Sequence, residues 1–183
     1  MNQTQDFTKG VIWKQLLFFF FPILIGSFFQ QLYNTVDTII VGQAVGTSAL
    51  AAVGSTGNLT NLIVNFYVGL STGASVVIAQ YYGAQNNKKI HQAVHTSYIL
   101  AIVSGILMML FGLFFSYQCL DAIGTPHDIL NDATLYMQLY FLCMIPGAIY
   151  NIGAGILRAV GDSKRPLYYL IVCSIVNVVF DFI

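Results

Sequence analysis

Glutamate is absent from this chain, and charge of either sign is scarce. Asp, Lys and Arg together make up 8% of 183 residues, against 57% hydrophobic. Water-soluble domains carry about 25% charged residues, so a soluble globular fold is excluded. Cysteine is nearly as sparse. Cys119, Cys143 and Cys173 are scattered without metal or redox spacing, and Cys143 and Cys173 fall in apolar runs where a thiol serves as a small hydrophobe. Catalytic signatures are missing too: there is no Gly-rich phosphate loop ending in Lys-Ser/Thr, no His-Glu-x-x-His and no nucleophile elbow. These absences argue against an enzyme and against an ATP-driven pump, and no cofactor or nucleic-acid partner is expected. No cleavable leader is evident, because the first apolar run is too long for one.

What the chain does contain is long apolar runs. A transmembrane helix needs about 20 mostly apolar residues, and five stretches qualify: 13–41, 56–80, 94–117, 133–157 and 167–183. Residues 1–12 then form an N-terminal tail and 13–183 a transmembrane bundle. The fold class expected is an all-α integral membrane protein, a polytopic helix bundle in contact with the lipid bilayer. The fifth stretch has 17 residues, just enough to cross, and ends without a polar exit. The chain therefore reads as truncated within or just after helix five.

The seven basic residues settle orientation. Lys9 precedes the first stretch and Lys14 stands at its start, Lys88 and Lys89 separate the second and third, and Arg158, Lys164 and Arg165 separate the fourth and fifth. The alternate linkers, 42–55 and 118–132, contain none. By the positive-inside rule the N-terminus is cytoplasmic, in a multi-pass protein of the plasma membrane, and Asp121, Asp128 and Asp132 face outward.

Two acids break the apolar pattern, Asp37 in the first stretch and Asp181 in the last. A carboxylate at membrane depth costs upward of about 3 kcal/mol, so such residues mark ion or proton handling. Ser27, Gln30 or Gln31, Asn34, Asp37 and Thr38 recur at three- and four-residue intervals, one stripe on a helix. Asn58, Asn61, Asn65 and Thr72 repeat the pattern in the second stretch, where Gly69 and Gly73 form a small-xxx-small pair suited to close helix approach. In the fifth, Ser174, Asn177 and Asp181 share a face, and Asn177 can donate to Asp181 across one turn. Pro22 should kink the first helix. At a 1.5 Å rise per residue, Asp37, Asp181 and Tyr136 reach a similar depth, about 9–12 Å from the outer boundary. His91, His95 and His127 read as loop or helix-start residues, and no metal site is required.

Several motifs together resemble the multidrug and toxic compound extrusion (MATE) family: QQLYNTVDTIIVGQAVGTSALAAVG (30–54) after Pro22, GASVVIAQYYGAQN (73–86), GILRAVGDSKRPLYY (155–169) and NVVFD (177–181). The resemblance implies two six-helix lobes facing a central cavity, of which this chain would be a partial first lobe, helices one to five. It implies a secondary active antiporter exchanging protons or sodium ions for small cationic or amphipathic drug-like compounds. Asp37, Asn177 and Asp181 match the family's coupling network, which would hold a proton or sodium ion; Tyr136, in LYMQLY, matches a tyrosine that joins it in some members. Gln30, Asn34, Asn61 and Asn65 are the candidate cavity-lining residues, and Pro22 matches the position where helix one bends. The missing C-terminal lobe would be needed for transport, because alternating access needs two lobes, so the chain alone is expected to be inactive. The alternatives are a lipid-linked oligosaccharide flippase of related fold, which would favour a cationic cavity and is disfavoured because the expected cavity-facing residues are neutral or acidic, and a non-transporting remnant.

Overall fold

The computed structural model describes residues 11–44 and 46–181. Most of the expected tail (1–10) and the last two residues lie outside the described part. Six helices follow one another: α1 (Ile12–Ala44), α2 (Thr47–Gly83), α3 (Asn87–Ala122), α4 (Leu130–Leu142), α5 (Met144–Ala159) and α6 (Lys164–Asp181). All lie within or overlap the expected stretches. Helices α1, α2 and α3 are each long and apolar enough to cross a membrane, and α4 with α5 forms one broken span. The 18 described residues of α6 include Lys164, Arg165 and Asp181, so by themselves they are not apolar enough to count as a span.

The fourth stretch is the main departure from the expected bundle. It is two helices meeting at Cys143 with a 51° bend. Pro146 is the cause. It cannot donate to the Leu142 carbonyl, and its ring crowds that group, whereas in the first turn of a new helix the missing amide costs nothing. Pro22, by contrast, sits inside α1 and the helix runs through it unbroken.

Helix α2 begins at Thr47 rather than near residue 56, so most of the expected 42–55 linker is helical. Hydropathy marks where a helix is in lipid, and hydrogen bonding continues it past that boundary. At about 1.5 Å per residue, α2 and α3 are each roughly 55 Å long, well beyond a hydrocarbon core of about 30 Å.

Three helix ends share one closing geometry. After α3, Gly124 donates to Asp121 and Thr125 to Leu120; after α5, Gly161 donates to Arg158 and Asp162 to Leu157; after α2, Gln85 donates to Tyr82 and Asn86 to Tyr81. Each is a Schellman motif, which needs a left-handed residue at its pivot. Gly124 (φ 79°), Gly161 (φ 84°) and Gln85 (φ 53°) supply it. Asp162 then opens the next helix, accepting the Lys164 and Arg165 amides on Oδ1 at 3.1 Å each, with Arg165 Nε 3.1 Å from Oδ2. One residue thus closes α5 and caps α6, which fixes the linker between them.

The apolar core is built from α2, α3, α4 and α5, with Ile63, Tyr67, Ala101, Leu120, Met137, Phe141 and Ile152 among its members. Helix α1 packs chiefly on α6, and this pair leans on the rest through α1 against α2 and, more lightly, α6 against α5. Contacts inside the core use small residues, as membrane bundles must when lipid offers no hydrophobic drive between helices. A Cβ on Gly105 would stand 3.1 Å from the Ile145 Cα, and the Phe141 ring covers Gly112. Gly155 sits against Ser71 and Ser75, and the Ser71 hydroxyl donates to the Asn151 carbonyl at 2.7 Å. The expected Gly69–Gly73 contact is corrected here. Both glycines are exposed, with nothing within 4 Å of an added Cβ, because α2 turns its Tyr67, Ser71 and Ile78 face inward instead.

Candidate functional site

The expected coupling residues fall on three neighbouring helices. Asp37 lies on α1 about 10 Å before its end at Ala44, half-buried, with its Oδ1 shielded from solvent. Its carboxylate is within Coulombic range of the Tyr136 phenol on α4. Asn177 on α6 is half-buried, and its Oδ1 has no hydrogen-bond partner among the described residues. The side chain of Asp181 lies outside the described residues, although its backbone ends α6.

Helix register brings these positions to one level. Three crossings, α2, α3 and the α4–α5 pair, lie between α1 and α6, so the two run in the same direction. They touch where a Cβ on Gly26 would stand 3.6 Å from Leu167 Cδ1 and 3.8 Å from Leu170 Cδ2. Asp37 is eleven residues beyond Gly26, and eleven residues beyond Leu167 and Leu170 are positions 178 and 181. Parallel helices rise equally per residue, so Asp37 stands level with the turn that carries Asn177 and Asp181.

The polar stripe leading to Asp37 is exposed along α1: Ser27, Gln30, Gln31, Asn34 and Thr38 all lie at the surface of the described residues. Thr35 and Thr38 donate to the carbonyls of Gln31 and Asn34. Asn61 and Asn65 are exposed on α2. A stripe of this kind at membrane depth must face water or more protein.

A cavity of about 770 Å³ opens at the other end of the bundle. It is lined by the first half of α1 (Leu16 to Gln30), the second half of α2 (Val64 to Ala79), the second half of α5 (Tyr150 to Ala159) and the start of α6 (Ser163 to Leu170). That lining shows the helix directions alternating, and it puts α1, α3, α5 and α6 termini carrying Lys14, Lys88, Lys89, Arg158, Lys164 and Arg165 at one end. Pro22 is buried and lines this cavity, as does Gln30; Asn34, Asn61 and Asn65 do not.

Sequence reasoning missed Arg158. It counted as a linker cation, and the cavity was expected to be neutral or acidic. Arg158 instead belongs to the last turn of α5 and lines the cavity. The signal was available: Gly161-Asp162 marks the helix end, and Arg158 stands before it.

The profile of the MatE family matches residues 22–183. The chain belongs to the MatE family. The probable multidrug resistance protein YoeA of Bacillus subtilis is 31% identical over 96% of this chain. Among solved structures, a multidrug resistance MATE transporter of the MOP superfamily in an outward-facing conformation superposes with a TM-score of 0.85, at 28% identity over 92% of the chain. A MOP-superfamily transporter from Pyrococcus furiosus, whose binding pocket is described as having reverse polarity, superposes at 0.88 with 27% identity over 98%. This MatE chain spans 38% of YoeA's length and 37% and 40% of the two solved chains. It is a multi-pass, all-α membrane protein with the architecture of a partial MATE lobe, the fold the sequence motifs implied.

Proposed function

We propose that this chain forms part of a secondary active multidrug efflux antiporter of the plasma membrane, exchanging protons or sodium ions for cationic or amphipathic compounds, with its N-terminus in the cytoplasm. The observation that carries the reading is the shared level of Asp37, Tyr136 and the Asn177–Asp181 turn on α1, α4 and α6, beside an exposed polar stripe. The multidrug names of relatives such as YoeA support the substrate class. Asp37, Asn177 and Asp181 would share the coupling ion, with Tyr136 as a hydrogen-bonding neighbour. The mechanism is competition: a carboxylate held away from water is costly as an anion, so it takes up either the coupling ion or the cationic compound, and loading by one releases the other. Packing of α1 around Pro22 against α6 is the element whose rearrangement would follow. The complementary lobe would supply the second wall of the cavity.

The test is drug accumulation in everted vesicles carrying the full-length protein, with pH or sodium gradients imposed separately. Asp37→Asn should abolish gradient-driven uptake while leaving protein level and folding intact. Coupled uptake that survives this substitution would remove Asp37 from the mechanism, and the gradient that drives wild-type uptake identifies the ion.

A further inference from the structure

We infer that the cavity between the α1–α6 pair and α2–α5 is a binding site for an amphipath with one anionic head, a phosphate or a carboxylate, held by Arg158. On α1 the cavity lining, Leu16 to Gln30, is centred about four helical turns from Asp37 and ends about two turns short of it, and Arg158 lies at the far end, so it is a separate site from the one proposed to couple ions. Its volume, about 770 Å³, falls within the range of ligand pockets, about 300–1,000 Å³. Apolar side chains such as Phe19, Ile23 and Leu170 form most of the wall, suited to a hydrocarbon tail.

The charge balance of the lining identifies the head. Among the described residues Arg158 is the single charged one lining the cavity, and no Asp lines it. The nearest acid along the chain, Asp162, is already engaged by the amides of Lys164 and Arg165 and by the Arg165 guanidinium. Among the described residues Arg158 has no ion pair of its own. A guanidinium partly withdrawn from water without a counter-charge is unfavourable, and an entering anion offsets that cost with up to two parallel hydrogen bonds. Three of the other polar groups of the lining are committed to backbone carbonyls: the Thr72 hydroxyl donates to Val68, the Ser75 hydroxyl to Ser71 and the Asn151 amide to Gly147. Arg158 is the charged donor that remains, with the Tyr150 phenol in Coulombic range and the neutral Ser27, Gln30 and Ser163 side chains elsewhere on the wall. A cationic head would meet an uncompensated like charge here. The preference is thus opposite to the one expected at Asp37.

The experiment uses full-length protein in a neutral maltoside detergent, with bound amphipaths counted by native mass spectrometry. Dodecyl phosphate should bind about tenfold or more tightly than dodecyltrimethylammonium, its cationic counterpart. Arg158→Gln should remove that preference, and Arg158→Lys should keep most of it. Thr72→Asp, which adds a carboxylate to the exposed α2 wall without touching Arg158, should weaken dodecyl phosphate binding and strengthen the cation. If Arg158→Gln fails to fold, the Lys and Thr72 variants carry the test. Competition by phosphatidylglycerol supports a lipid headgroup as the source of the anion, and competition by inorganic phosphate supports a free one. Equal binding of the two dodecyl probes to wild type, or a preference unchanged in the folded Arg158 and Thr72 variants, overturns the inference. None of these outcomes depends on whether Asp37 couples ions.

Discussion

Replacing Gly155 with alanine tests the close approach on which the core rests. An alanine Cβ at this position would lie 2.8 Å from the Ser75 hydroxyl and 3.0 Å from the Ser71 carbonyl oxygen, and closer still to the Ser71 hydroxyl. The two hydroxyls can rotate away, but the carbonyl belongs to the backbone of α2, so the helices themselves must separate. Overpacking of this kind costs about 1–3 kcal/mol. Rotating the Ser71 hydroxyl also breaks its 2.7 Å bond to the Asn151 carbonyl, worth about 0.6 kcal/mol between membrane helices. The expected loss is about 2–3 kcal/mol, roughly a 30- to 150-fold shift in the unfolding equilibrium. The assay is reversible unfolding in mixed dodecylmaltoside–SDS micelles, followed by circular dichroism. Gly69→Ala and Gly73→Ala serve as controls, since nothing lies within 4 Å of either new methyl, and each should be neutral or slightly stabilising. A Gly155→Ala protein as stable as wild type, or a pair of controls as unstable as Gly155→Ala, would refute the packing argument.

Three further outcomes follow from the helix ends and the break. Asp162→Ala should cost about 1 kcal/mol, because two α6 amides lose their acceptor. Asp162→Asn keeps that acceptor and loses only the pairing with half-exposed Arg165, so it should be nearly silent in the same unfolding assay. Gln85→Gly should stabilise by about 1 kcal/mol, relieving a left-handed non-glycine residue at φ 53°. Pro146→Ala restores a donor for the Leu142 carbonyl and should straighten the 51° bend. Spin labels at Asn131 and Leu157, in a cysteine-free background, should then move apart by about 4 Å; an unchanged distance would mean that tertiary packing, and not proline, sets the bend.

Lipid burial, the helix count to within the broken span, and the candidate coupling residues were all legible in the sequence. Hydropathy is a strong signal when nearly every residue of a 20-residue window is apolar, and an aspartate in such a window stands out without any structure. The family motifs around Asp37, Arg158 and Asn177 were legible for the same reason: each is a local string. The break at Cys143 was less so. Pro22 and Pro146 are both prolines in apolar runs, yet α1 continues through one and the span divides at the other. Whether a helix absorbs a missing hydrogen bond depends on what packs across it, which is a tertiary matter.

By itself, the sequence determined that this chain lives in a membrane, which end of its helices carries the basic residues, and that Asp37 and Asp181 must be explained. Those properties follow from composition and from one-dimensional periodicity. Only the tertiary structure decided which glycines are contacts, Gly155 and Gly112 rather than Gly69 and Gly73, because helical phase alone does not say which neighbour a face meets. It also moved Arg158 from a linker to a cavity wall, and it set α1 against α6 so that Asp37 meets the level of Asn177. Those three facts depend on which helices pack together, and partners far apart in the chain leave no trace in local sequence.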